Sequence, residues 1–397
     1  MPGTNESTPS ESSIEAVEPA DLRNAIDAGE PVTILDVRAT EEFEEWHVDG
    51  ENVTIENLPY VELVEGITDD HLSRVPDGGP LVVVCAKGGA SEWVAEQLVE
   101  RGFDAVNLSE GMNGWARVYD ACEIRTADTD ATVVQFQRPS SGCLSYAVFD
   151  GDEAVVVDPL RAFTDRYVSE AVERGCSVTS VLDTHVHADH VSGARELVAA
   201  TGADFLLPEQ AVERGVDYDV EVTTVADGDT VPVGGISIEV RSTPGHTSGM
   251  TSYLVDDAVL LSGDGLFTES VARPDLEEGA EGAPDAAGQL YDTLQDLLRL
   301  PADVVVAPAH FGDAATPAAD GTYTARLGDL AEGMDALRLD RDEFVDFVLA
   351  DMPPRPANYE EVIDVNLGRE RVDDDEAFRL ELGPNNCAAT QDAMVDD

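Results

Sequence analysis

Short apolar runs alternate along the chain with stretches whose apolar residues recur at helical spacing, the pattern of an α/β protein. Residues 32–36 and 81–85 read as buried strands, each followed by an amphipathic stretch at 40–46 and 91–101, and residues 106–108 add a third strand. Around 120–130 the pattern lapses into DACEIRTADTD, which has no sustained apolar face and reads as a linker. Strands then follow closely at 132–136, 144–149 and 154–158, with a helix predicted over 164–174 and a strand over 178–183. Further strands are expected at 236–242, 251–255, 259–262 and 304–308, and a helix at 285–300. Runs of strands with intervening helices predict two packed sheets covered by helices. The expected division is a disordered polar leader at 1–13, one α/β domain at 14–122, a second at 131–372 and an acidic tail at 373–397.

Composition narrows the setting. With 397 residues and 43% apolar content the chain can bury two substantial cores. The formal charge of −59 is spread from end to end, and Lys87 is the single lysine among 23 Lys and Arg residues. At low salt such a surface repels itself, whereas molar salt shortens the Debye length to about 3 Å and removes most of that cost. A halophilic, salt-rich cytoplasm is therefore the expected location. No basic patch exists to neutralise phosphates, which disfavours nucleic acid and anionic membranes as partners. No apolar stretch approaches the roughly 20 residues that span a bilayer, and the first residues lack the pattern of a signal peptide. The five cysteines form no CxxC pairs, so reduced thiols are expected.

Three of the seven histidines fall in HVHADH, as His185, His187 and His190, with Asp189 among them. A loop leaving a strand end can turn alternate side chains onto one ion, and imidazole with carboxylate suits zinc or iron. His246 in STPGHTSG, Asp264 in LLSGDGLF and His310 in VVVAPAHF each sit where a strand is expected to stop, beside Gly or Pro turn residues. Core packing is a real alternative for His310 taken alone, but it does not account for the cluster.

HVHADH, followed in order by His246, Asp264 and His310, resembles the HxHxDH signature of the metallo-β-lactamase superfamily. The resemblance implies an αββα sandwich with metal in the cleft between the sheets. In a dinuclear member one ion would take His185, His187 and His246 and the other Asp189, His190 and His310, with Asp264 bridging. The stretch GDGLFTESVARPDLEEG, and PPRPANYEEVIDVNLG at 353–368, are similar to the persulfide dioxygenase group. That likeness implies a single Fe(II) held by His185, His246 and Asp264, with open positions for a thiol persulfide and dioxygen. His187, Asp189, His190 and His310 would then orient the ligands or hold water, Arg273 would bind a carboxylate of the thiol carrier, and Asp275 would hold Arg273. The implied reaction oxidises a low-molecular-weight thiol persulfide to sulfite and thiol. The ligand types suit equally a thioester hydrolase of the glyoxalase II type with two Zn. In AHFGD the last histidine is not followed directly by Asp, as it often is in related enzymes, which weakens the case for a second metal.

In the first domain Cys85 ends a strand and opens CAKGGAS before a helix. Small residues at a helix N-terminus aim several N–H groups at one spot and stabilise a thiolate there, and Lys87 adds a full charge. The loop resembles the active-site loop of the rhodanese family, as do LDVR at 35–38, EFEEWHVDGEN at 42–52 and VNLSEGMNGW at 106–115. The resemblance implies a rhodanese-like α/β/α domain in which Cys85 and Lys87 are catalytic, Gly88, Gly89 and Ser91 bind the substrate, and Cys85 passes sulfane sulfur to an acceptor. Ala90 stands where the family usually has arginine, which keeps open a non-catalytic, sulfur-binding role. Tethering would raise the concentration of one module's product at the other to the order of millimolar. The implied partners are a thiol persulfide, a sulfur acceptor and dioxygen, and homo-oligomerisation is left open.

Overall fold

The computed structural model describes residues 14–312, 314–350 and 352–389. The leader at 1–13 and the end of the acidic stretch at 390–397 lie outside the described residues. The chain divides into two compact units between Val118 and Tyr119. No helix among the described residues is long and apolar enough to cross a membrane.

The first unit holds a parallel five-stranded sheet in the order Ala16–Val17, Ala105–Leu108, Leu81–Val84, Val32–Asp36, Val53–Asn57. The central strands Val32–Asp36 and Leu81–Val84 are buried along their whole length, because helices cover both faces. The edge strand Val53–Asn57 is only half buried at alternate positions, and it escapes a pattern search for that reason. Helix Gly89–Val99 packs Val94 and Leu98 on one face against Leu35 and Val83. Pro19–Asp27 and Gly111–Trp115 pack Leu22, Met112 and Trp115 on the other against Ile34 and Val82. This is the expected α/β/α order of layers.

In the second unit a seven-stranded sheet runs in the order Val222–Val225, Asp204–Pro208, Ser177–Leu182, Glu153–Val157, Cys143–Asp150, Thr132–Arg138, Asp120–Ile124. A six-stranded sheet runs Thr230–Val233, Ile236–Ser242, Thr251–Val255, Val259–Gly263, Val305–Pro308, Ala325–Arg326. Leu144, Val155 and Leu182 of one sheet meet Val240, Tyr253 and Leu261 of the other in a shared core. Helices Thr164–Glu173 and Ala194–Thr201 cover the outer face of the first sheet, and Gly279–Leu297 and Arg341–Ala350 cover that of the second. Four layers result, the αββα sandwich expected from the sequence.

Two expectations about boundaries are corrected. The supposed linker begins with strand Asp120–Ile124, paired antiparallel with Thr132–Arg138, and Tyr119 before it belongs to the second core. Tyr119 stacks on Phe163 with ring centroids 3.9 Å apart, and its hydroxyl lies 2.7 Å from Ser145 Oγ and 2.6 Å from Tyr167 Oη. Likewise, residues from 373 to 389 are not a solvated tail. Asp373 accepts a bond from the Glu376 N–H at 2.9 Å and caps helix Asp374–Leu380, so the acidic run is a cap and first turn set against the helix dipole. The helix buries Ala377, Phe378 and Leu380, and Cys387 beyond it is fully buried.

Phe378 is 4% exposed and lies beneath the Arg138 guanidinium. Phe378→Ala is expected to destabilise the second unit by about 3–5 kcal/mol in denaturant titrations, where truncation in a loose tail would change nothing.

Candidate functional site

Four strand ends bring the metal-binding side chains together. Ser177–Leu182 leads into Asp183 and the loop that carries His185, His187, Asp189 and His190, and Ile236–Ser242 leads into the turn bearing His246. Val259–Gly263 delivers Asp264, and Val305–Pro308 delivers His310. His185, His246 and Asp264 offer ligand atoms that all lie within 4.8 Å of one another. His185 Nε2 and His246 Nε2 stand 3.6 and 3.4 Å from Asp264 Oδ2. Two ligands bound at about 2.1 Å and at a tetrahedral angle would be about 3.4 Å apart, so the spacing fits a shared ion.

Hydrogen bonding fixes which nitrogen of each imidazole is free. Thr184 Oγ1 donates its only proton to Asp158 Oδ2 at 2.9 Å, so at 2.9 Å from His185 Nδ1 it accepts, and His185 Nε2 keeps its lone pair. His246 Nδ1 donates to the Arg273 carbonyl at 2.9 Å, which leaves Nε2 free in the same way. His187 Nε2 donates to Asp158 Oδ1 at 3.0 Å, leaving Nδ1 free, though His187 is not part of the triad. Burial holds both His185 and His246 below the ordinary histidine range, so they are neutral, as metal ligands must be. His185 Nε2, His187 Nδ1, His246 Nε2 and Asp264 Oδ2 are buried with no hydrogen-bond partner. Native interiors leave few such atoms, and their concentration here fits a site built for a cation.

A second set surrounds the first. Asp189 Oδ2 accepts from His310 Nε2 at 2.7 Å, His190 Nδ1 at 3.0 Å and the Cys143 thiol at 3.2 Å. His310 Nδ1 is 2.5 Å from Asp264 Oδ1, so both its nitrogens face carboxylates. Burial opposes its charge, but Asp264 and Asp189 raise His310 well above the ordinary range. Burial would also raise Asp264, yet His310 holds that carboxyl below the usual carboxylate range. Asp158, Cys143 and Cys387 escaped the sequence reading. Cys143 reaches the site because its residue bridges to His310 across the sheets, and Cys387 joins Asp189, Asp264 and His310 from the segment taken as tail.

In the first unit Cys85 is 6% exposed, and its sulfur accepts from the Gly88 N–H and lies near the Ser91 hydroxyl, each at 3.1 Å. Gly88, with φ of 88°, caps helix Gly89–Val99. Gly89 and the exposed Lys87 make no hydrogen bond to the sulfur. The loop rests on Gly111: a Cβ there would lie 2.0 Å from the Cys85 carbonyl oxygen, and its φ is +57°. Arg38 is buried and bonded to Asp36 and the Trp46 carbonyl, a structural role.

Residues 139–310 match the metallo-beta-lactamase superfamily, and residues 18–118 match the rhodanese-like domain. The chain joins a rhodanese-like domain to a metallo-β-lactamase domain. The latter implies a bound metal, iron or zinc, and the clustered donors fit one. The mitochondrial persulfide dioxygenase ETHE1 of Bos taurus is 26% identical over 226 residues, which cover 54% of this chain and 85% of that protein. A hydroxyacylglutathione hydrolase of Rhodospirillum rubrum is 35% identical over 158 residues, covering 39% of this chain and 56% of its own length, so the chain spans little more than half of that relative. The crystal structure of ETHE1 from Myxococcus xanthus aligns with a TM-score of 0.51 at 28% identity, covering 60% of this chain and 98% of that one.

One assignment in the metallo-β-lactamase domain is corrected. Arg273, expected to receive a substrate carboxylate, is 1% exposed and bonded to the protein itself. Nε donates to Asp275 Oδ1 at 2.7 Å, and Nη1 donates to the carbonyls of Pro354 and Asn386 at 2.8 and 2.9 Å. Asp275 holds Arg273 as expected and also binds Arg355. Arg273 therefore clamps later segments over the site, and its carbonyl orients His246.

Stripping the metal with a chelator and restoring it at 100 times its Kd is expected to return about 2.7 kcal/mol of stability, read as a rise in Tm. His246→Ala should abolish that rise. Gly111→Ala should push the loop away from the Cys85 carbonyl, and slower alkylation of Cys85, followed by peptide mass spectrometry, is the expected result.

Proposed function

We propose that the metallo-β-lactamase domain oxidises a low-molecular-weight thiol persulfide to sulfite and thiol at a non-haem iron, and that Cys85 of the rhodanese-like domain transfers sulfane sulfur. The observation that carries this reading is the contrast between the two donor sets. His185, His246 and Asp264 converge with unpartnered atoms, two imidazoles and one carboxylate, whereas both nitrogens of His310 are engaged by carboxylates. A triad of that composition leaves coordination positions open, as an oxygenase requires. The resemblance to ETHE1 supports the same choice.

The overall change is RSSH + O₂ + H₂O → RSH + SO₃²⁻ + 2H⁺. The S–S bond breaks, the outer sulfur loses four electrons and dioxygen gains them. Iron, when bound, supplies the redox-active centre with room for both reactants. The protein's own groups do the positioning: Thr184 and the Arg273 carbonyl orient the two imidazoles, and the proton of His310 fixes the Asp264 carboxylate. In the other domain the Cys85 thiolate, with the Gly88 N–H and Ser91 hydroxyl beside it, attacks the outer sulfur of a donor persulfide; the donor's S–S bond breaks, its inner sulfur leaves as a thiolate, and Cys85 carries the outer sulfur as a persulfide.

One observation favours a second reading, thioester hydrolysis at two zinc ions. His190 Nε2 and Asp189 Oδ1 are also buried without partners, next to His310. Metal analysis of natively purified protein, with oxygen uptake on glutathione persulfide, separates the two. Iron near one equivalent and sulfite formed in step with oxygen is the expected result, with Asp264→Asn lowering the rate at least about 100-fold through loss of the ion. Two zincs with hydrolysis of a glutathione thioester and no oxygen uptake would overturn it.

A further inference from the structure

The loop 187–192 is held from behind by two side chains that come from far along the chain and touch no ligand atom. Asn366 ends helix Tyr359–Asn366 and is 4% exposed. Its Nδ2 donates to the carbonyls of His187 at 3.0 Å and His190 at 2.8 Å, and its Oδ1 accepts from the Ser192 N–H at 2.9 Å. Both amide protons and one acceptor site are thus used on a single loop. Glu381 takes the residue between: Oε1 accepts from the Val191 N–H at 2.9 Å, while Oε2 pairs with Arg138 Nη1 at 2.6 Å, both side chains being buried.

We infer that Asn366 is a positioning residue for the metal centre, whose amide holds the loop 187–192 in the one conformation that lets Asp189 meet His310. The chain of contacts is continuous. The carbonyls fixed by Asn366 belong to His187, two residues before Asp189, and to His190, the residue after it. Asp189 binds His310 Nε2, and His310 Nδ1 binds Asp264. A loop freed from Asn366 would have to find new partners for two carbonyls and one N–H in a buried place, and Asp189 would move with it. Asp264 would then lose the contact that aims its Oδ2 at the imidazoles of His185 and His246. The inference does not depend on which metal is bound or on which reaction the domain performs.

The test uses the full chain, stripped of metal and titrated with Co(II). Asn366→Leu should weaken Co(II) affinity about 10- to 100-fold in chelator competition and shift the visible ligand-field bands, as loss of an outer hydrogen-bonding partner does at metal sites. Asn366→Ser is prepared beside it and decides by the same two readouts if the leucine variant does not fold. A folded Asn366 variant with lower Tm but unaltered Co(II) affinity and spectrum would reduce Asn366 to a stabilising contact and overturn the inference.

Discussion

The carboxylate of Asp158 accepts from the Thr184 N–H at 2.6 Å, the Thr184 hydroxyl at 2.9 Å and His187 Nε2 at 3.0 Å, and the rest of the metal centre depends on this arrangement. A buried anion is tolerated only where it is fully hydrogen-bonded, and Asp158, at 1% exposure and a φ of 52°, is held to that requirement by the end of the preceding strand. Because it takes the Thr184 proton, it decides at one remove that His185 presents Nε2. It does the same for His187 directly. The sheet thus dictates tautomers as well as positions.

Both domains use the same device at different scale. A buried strand stops, a turn follows, and the reactive side chain sits where backbone groups are still unpaired. At Cys85 those groups are a helix N-terminus whose Gly88 N–H is aimed at the sulfur. In the metallo-β-lactamase domain four such strand ends face one another, and the lone pairs and charge they present are of the opposite sign, suited to a cation.

What the sequence disclosed follows from distance along the chain. HVHADH was legible because its ligands crowd into a few residues, and the central strands because parallel strands covered on both faces are uniformly apolar. Edge strand Asp120–Ile124 was not, since four of its five residues are exposed or half-buried and Asp120 and Glu123 among them imitate a linker. Arg273 read as a substrate-binding residue because its partners, the carbonyls of Pro354 and Asn386, have no side-chain signature and lie far downstream. The run at 373–376 read as a tail for a related reason: acidic residues serve equally to solvate a loose end and to cap a helix, and only the apolar residues after it distinguish the two.

The wall of the metal cleft that carries Cys387 is contributed by residues beyond 380, where Ala388 bridges to Ala272 and the Arg273 N–H reaches the Cys387 carbonyl at 3.0 Å. During synthesis the rhodanese-like domain emerges whole long before that wall exists. A ribosome stalled anywhere in the last stretch would therefore hold a chain whose rhodanese-like domain is complete but whose metal cleft lacks one wall. The two domains need not mature together, and the rhodanese-like one comes first.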